Sequence, residues 1–165
     1  MKKYNDKKGF SLIELVLFMG LYSIVLLVLT TLFAEIVQKQ LELQSTTSVE
    51  TDHTYILSRL NYDFNRADSV IIPDVIGDVS EQLTLVIEGI EYTYSVNGTA
   101  FELSGNGGTF QLNSPRTEVS DVTFQKIGNL SGSPTIKTKL KLNSKVQESS
   151  GIKNIEIDTT FGLKP

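Results

Sequence analysis

From Leu15 to Ala34 the chain reads LVLFMGLYSIVLLVLTTLFA, twenty residues without a charge. As a helix this run spans about 30 Å, the thickness of the hydrocarbon layer of a bilayer. Glu14 closes it on one side and Glu35 on the other, and no Pro occurs before Pro73. One continuous helix through a membrane and beyond is therefore allowed.

Charge is distributed around this run unevenly. The first nine residues, MKKYNDKKG, carry Lys2, Lys3, Lys7 and Lys8 against Asp6. That flank predicts a cytoplasmic N-terminus, with the rest of the chain outside. The whole chain has net charge −4. Removing residues 1–9 takes away four Lys and one Asp, which leaves 11 basic and 18 acidic residues and a net charge of −7. An acidic outer part argues against a surface built as a whole to grip nucleic acid. There is no Cys and one His, His53. Disulfide frameworks, thiolate nucleophiles, Cys-ligated metals and multi-His metal sites are excluded, and no cofactor is expected. Hydrophobic residues make up 40% of the chain, too many for a disordered one.

Three readings of the N-terminus compete. A secretory signal has a shorter apolar core and small residues before its cut, whereas this run ends Leu32-Phe33-Ala34. A plain single-span anchor fits the length but leaves Glu14 unexplained. That carboxylate lies four residues into the apolar stretch that starts at Phe10. Near the bilayer core it costs roughly 2.5–3.5 kcal/mol, and such residues usually serve a function.

The third reading rests on Lys7-Lys8-Gly9-Phe10-Ser11-Leu12-Ile13-Glu14-Leu15. This segment resembles the class III leader of type IV pilins and type II secretion pseudopilins. The resemblance implies a cut by prepilin peptidase between Gly9 and Phe10, with residues 1–9 as the leader. It also implies N-methylation of Phe10, and Glu14 as the fifth mature residue, which acts in assembly. Lys7 and Lys8 supply the leader charge. Gly9, without a side chain, lets a protease approach the backbone closely. Major pilins usually carry a helix-bending Pro where this chain has Thr31, which points to a minor pilin or pseudopilin.

Beyond the span, Ile56, Leu60, Phe64 and Ala67 form one helical stripe, widened by Leu57. Ile36, Val37, Leu41 and Leu43 form an earlier, less regular set. The polar patch Gln44–Ser48 has weak helix propensity, and Thr47-Ser48-Val49-Glu50 reads as a capping box. A break is therefore allowed there, although one long helix over 10–67 is expected. Asp52-His53 reads as a solvated pair rather than a catalytic one.

After Asp68 the period changes to two. Strands are expected at Val70–Ile72, at Leu83–Ile87, and over Ile90, Tyr92, Tyr94 and Val96. Further strands are expected at Phe101–Leu103, Phe110–Leu112, from Val122, over Thr135–Lys145, and over Ile155–Phe161. Glu88-Gly89 reads as a tight turn and Asn97-Gly98 as the strongest hairpin signal. Residues 104–108 read as a turn rather than a phosphate loop. Lys137, Lys139 and Lys141 line one face of a strand, which reads as a solvated face that discourages edge pairing. DNA contact along it would be required only in a competence system. Asp74, Asp78 and Glu81 read as a solvated acidic loop rather than a calcium site. Asn97-Gly98-Thr99 and Asn129-Leu130-Ser131 are chance-level matches to a glycosylation sequon. The order of the last strands, Val119-x-x-Val122-x-Phe124 and onward, looks like the C-terminal sheet of minor pilins of the J/W kind.

The expected fold is α+β: one long N-terminal helix, transmembrane over 15–34, packed on an antiparallel sheet formed by 68–165. The resemblance implies a structural subunit of a type IV pilus, competence pilus or secretion pseudopilus. It would sit in the cytoplasmic membrane before assembly. Its partners would be the prepilin peptidase, other pilins and the assembly platform, with no enzymatic activity and no small-molecule substrate. The alternative is a single-pass membrane protein whose outer β-domain binds a ligand or envelope component without forming a fibre.

Overall fold

The computed structural model of the chain describes residues 9, 11–128, 134–148 and 151–163, except for the side chains of 147 and 148. The sequon at Asn129 lies outside these residues. A single helix, α1, runs unbroken from Leu12 to Arg66. The polar patch at 44–48 does not interrupt it. Ser48 Oγ donates to the Gln44 carbonyl at 2.8 Å, and Thr54 Oγ1 donates to Glu50 at 2.9 Å. These hydroxyls are satisfied by the helix's own backbone and offer it no competing turn. The boundary between the chain's two compact units falls inside α1, between Gln40 and Leu41.

Among the described residues, the second unit holds the remainder of α1 and nine strands: β1 (Ser69–Ile72), β2 (Val79–Ser80), β3 (Leu83–Ile87), β4 (Ile90–Asn97), β5 (Ala100–Gly105), β6 (Gly108–Gln111), β7 (Thr117–Ile127), β8 (Thr135–Glu148) and β9 (Gly151–Gly162). The strands form two antiparallel sheets, ordered β1-β3-β4-β5-β6 and β2-β7-β8-β9. The α+β arrangement expected from the sequence is present, with the strands shared between two sheets. One core joins helix and sheets. Val49, Ile56, Leu60 and Phe64 meet Leu85, Tyr94 and Phe101 of the first sheet, and Phe124, Ile136 and Leu140 of the second. Phe64 stacks on Phe161 with ring centroids 4.8 Å apart.

Two local features depart from simple alternation. At the β4–β5 hairpin, Asn97 pairs with Ala100, so the loop is Gly98-Thr99 rather than Asn97-Gly98. Gly98 has φ 64°, the conformation a type II′ turn requires at its first position. In β7 the register shifts between Ser120 and Thr123, and Asp121 has φ 54°. The bulge adds one residue, which lets Val119, Val122 and Phe124 all face the core. The strand therefore begins at Thr117, ahead of the expected Val122.

The lysine stripe takes a different place from the one expected. Lys137, Lys139 and Lys141 lie on β8, the strand between β7 and β9, and so protect no edge. They face the acidic residues of β9: Lys139 pairs with Asp158 and Lys141 with Glu156. Lys139 Nζ lies 3.1 Å and Lys137 Nζ 3.5 Å from Asp158. The hydrogen bond from Lys139, helped by Lys137, holds the Asp158 carboxyl below its ordinary range. Near the start of the domain, Lys126 Nζ donates to the Asp74 carbonyl at 2.6 Å. Among the described residues no group of three His, Cys, Asp or Glu side chains could hold a metal.

Asp63 lies fully buried on α1 and accepts hydrogen bonds from Arg59 Nε at 2.9 Å and from the Tyr94 hydroxyl. Burial, reinforced by the adjacent Asp63 carboxylate, holds the Tyr94 proton well above the usual tyrosine range. An unfolded tyrosine releases its proton near pH 10. Above that pH the unfolded chain binds fewer protons than the folded one, so stability falls as pH rises, and below it the contribution is complete. Tyr94→Phe is expected to cost about 1.5–3 kcal/mol, the range for a hydrogen bond to a charged group. It should also flatten the loss of stability above about pH 10. Urea unfolding of the detergent-solubilised chain across pH checks both.

Candidate assembly site on the exposed helix

The first unit exposes what a water-soluble protein would hide. From Leu12 to Phe33 the large apolar side chains are 45% (Leu26) to 81% (Leu12) exposed. Taking each such side chain out of water is worth about 1.5–3 kcal/mol, so the sum is on the order of tens of kcal/mol. The segment is long and apolar enough to cross a membrane, and none of its most apolar window is buried in the protein. Three of its hydroxyls are already satisfied. Ser23 Oγ donates to Met19, Thr30 Oγ1 to Leu26 and Thr31 Oγ1 to Val28, each at 2.8 Å. In lipid, where no water can serve them, this closure makes the hydroxyls tolerable. Thr31 continues the helix without a kink-forming Pro.

Glu14 sits exposed in the first turn of α1, and its N–H bonds the Ser11 carbonyl at 3.0 Å. The helix dipole favours a carboxylate there by about 0.3–1 kcal/mol. That is a fraction of the roughly 2.5–3.5 kcal/mol a carboxylate costs at membrane depth. The dipole alone does not balance Glu14. Gly9 is exposed and non-helical, with no atom near the position a Cβ would take. Phe10, Lys7 and Lys8 lie outside the described residues.

Two carboxylates fix the second part of α1 to its sheets: Asp52, expected from the sequence to be solvated but buried here, and Asp63, which the sequence reading did not single out. Asp52 is buried. It accepts from the Ser114 N–H at 2.8 Å and from the Thr117 hydroxyl. Its neighbour His53 is half-buried one position round the helix, so the pair forms no dyad directed at a common point. The loop that Asp52 grips is organised by buried Asn113. That side chain accepts from the Phe101 N–H at 2.8 Å and donates to the Thr117 carbonyl at 3.0 Å. Asp63 is the second anchor. Burial works hardest against the Arg59 cation, but the Asp63 carboxylate and the Tyr94 hydroxyl together outweigh it and keep the Arg59 pKa raised. The available signal was position: Asp52 lies four residues before Ile56, and Asp63 three after Leu60, on the apolar stripe itself.

No family model, curated protein or solved structure matches this chain. Its reading rests on its own residues. A charge at the middle of the exposed run should oppose membrane insertion. Val25→Arg is expected to weaken insertion by about 2.5–3.5 kcal/mol, read as loss from floated vesicles at limiting lipid. Ser58→Arg, on an exposed turn of the second unit, should leave flotation unchanged.

Proposed function

We propose that this chain is a structural subunit of the pilin type, a minor pilin or pseudopilin, held in the cytoplasmic membrane by α1 until it joins a fibre. The observation that carries the reading is an all-round exposed apolar helix with a single carboxylate, Glu14, in its first turn. The basic flank of residues 2–8 and the −7 charge of the remainder support an N-terminus inside and a β-domain outside.

In this reading prepilin peptidase cuts after Gly9 and methylates Phe10. The new terminal amine has a pKa near 8 before methylation and is largely protonated at neutral pH. In a stack of such helices, the amine of an arriving subunit neutralises the Glu14 of its neighbour. The pair then relieves a desolvation cost of several kcal/mol per ion, but only at one register. Glu14 thus selects the axial position at which a subunit docks. Apolar side chains between Leu12 and Phe33 exchange lipid for neighbouring helices, and the β-domain decorates the outside. The unbent helix at Thr31 supports a low-copy subunit over the main fibre protein. The protein is then the substrate of a processing enzyme, and its partners are other pilins and the assembly platform.

Mass spectrometry of the native protein should find a chain that begins at N-methylated Phe10. Glu14→Val should leave membrane insertion intact and reduce co-purification with partner subunits by at least about tenfold, the value of one relieved ion at about 1.4 kcal/mol. A native chain that retains Lys7 and Lys8, or a Glu14→Val chain that co-purifies normally, would overturn the reading.

A further inference from the structure

Four strands end the two sheets, and three of them carry features that discourage pairing with another chain. β1 has a register break between Val70 and Ile72 and is followed by Pro73. β2 is two residues long. β9 carries Lys153, Glu156 and Asp158. Short length, bulges, Pro and charge are the usual ways of blunting an edge. β6 is short, at four residues, but has no bulge, Pro or charge: it reads Gly108-Thr109-Phe110-Gln111, uncharged and exposed throughout. Leu112 N–H donates to the Phe101 carbonyl at 2.7 Å. By the alternation of an antiparallel ladder, Phe110 turns its backbone toward β5, and Thr109 and Gln111 turn theirs outward. β6 is the last strand of its sheet, so no neighbouring strand meets those groups.

The side chains beside this edge form a site. Leu103 and Phe110 are paired and share a face; Leu103 is buried under α1, while Phe110 is 58% exposed. The apolar face thus extends past the helix that covers it. A groove of about 360 Å³ lies there, lined by Tyr55 and Arg59 of α1 and by Tyr92, Leu103, Gly105 and Phe110. A Cβ at Gly105 would come within 2.7 Å of the Tyr92 ring, so the glycine is what lets that ring lie flat beside the groove. Arg59 is the only charged group in the lining. A guanidinium has five N–H donors, of which Asp63 and Tyr94 engage part. Along the same helical stripe, Arg59 and Arg66 lie 5.8 and 5.1 Å from the Tyr62 ring centroid. Exposed Tyr and Arg in this arrangement are the residue types that dominate protein interfaces. Asp63 pairs with Arg59 and Glu88 with Arg66, each at 2.9 Å, so what Arg59 offers the groove is its remaining N–H donors.

We propose that β6 receives an extended, acidic segment of another polypeptide as an added strand. Thr109 and Gln111 pair with its backbone, one apolar side chain packs on Phe110, and a carboxylate two residues along meets Arg59. Unpaired N–H and C=O groups select a polypeptide, and cross-strand packing selects the apolar residue opposite Phe110. The N–H donors of Arg59 that Asp63 leaves unengaged select a carboxylate as acceptor. Such a contact buries little area and is weak alone; it acts between chains already held close. It requires neither leader processing nor Glu14, and holds whether or not the chain enters a fibre.

The full chain in detergent micelles is titrated with a fluorescent capped peptide, TVTETVT, which places valine and glutamate on one face. Saturable binding is expected. TVTKTVT and the proline-interrupted TVPEPVT should bind at least about tenfold more weakly, as should the Thr109→Pro variant, which loses one outward donor. Phe110→Lys is a second variant at an exposed position and should show the same loss. Unfolding midpoints of both variants should match the parent. The proposal is overturned if the peptide fails to bind at millimolar concentration, or if neither variant weakens it. It is equally overturned if oligothymidylate binds in the groove and displaces the peptide.

Discussion

A helix that is apolar on every side over about 30 Å has no face to offer water. Everything else in this chain accommodates that fact. The hydroxyls of Ser23, Thr30 and Thr31 turn back on their own backbone, and no Asp, Glu, Lys, Arg or His interrupts the run from Leu15 to Ala34. The polar residues lie on either side of the run. Lipid satisfies such a helix, and so does a bundle of similar helices. The two environments differ little in their attraction for Leu or Val. A small electrostatic term can therefore decide between them, and in the proposed function Glu14 supplies it.

The second part of α1 obeys opposite rules. Its stripe of Val49, Ile56, Leu60 and Phe64 is buried in ordinary fashion, but the same stripe carries Asp52 and Asp63. Burying a carboxylate is costly unless its oxygens are served. Here the Oδ2 of each is served, by Ser114 and Thr117 for Asp52 and by Tyr94 and Arg59 for Asp63, while Asp63 Oδ1 is buried without a partner. Apolar packing would tolerate a helix that slides or rolls slightly. These directional bonds do not, and they define one seat for the helix on the sheets.

The elements with strict periodicity were legible in the sequence. Ile136, Thr138, Leu140 and Leu142 alternate with lysines, and they form the inner face of β8. Ile56, Leu60 and Phe64 announce the helix face. What alternation could not convey was the bulge at Asp121, where one extra residue delays the pattern, or the one-residue offset of the turn at Gly98. Neither could a period of two tell that the strands divide between two sheets, since partner choice depends on contacts distant in the chain. The lysines of β8 were read as edge protection because the sequence does not show which strand lies in the middle. In the candidate assembly site Glu14 stands out against its apolar surroundings, whereas Asp52 and Asp63, in the second unit, resemble ordinary surface acids. Only the buried register reveals their role.

Asp52 and Asp63 lie eleven positions apart, close to three whole turns, and so point the same way from the rod. A single residue gained or lost between them would swing one carboxylate by about 100° relative to the other. No set of side-chain changes on the sheets could follow that swing without refitting the domain. Descendants of this gene can therefore drift widely in the letters of that stretch while its length stays frozen.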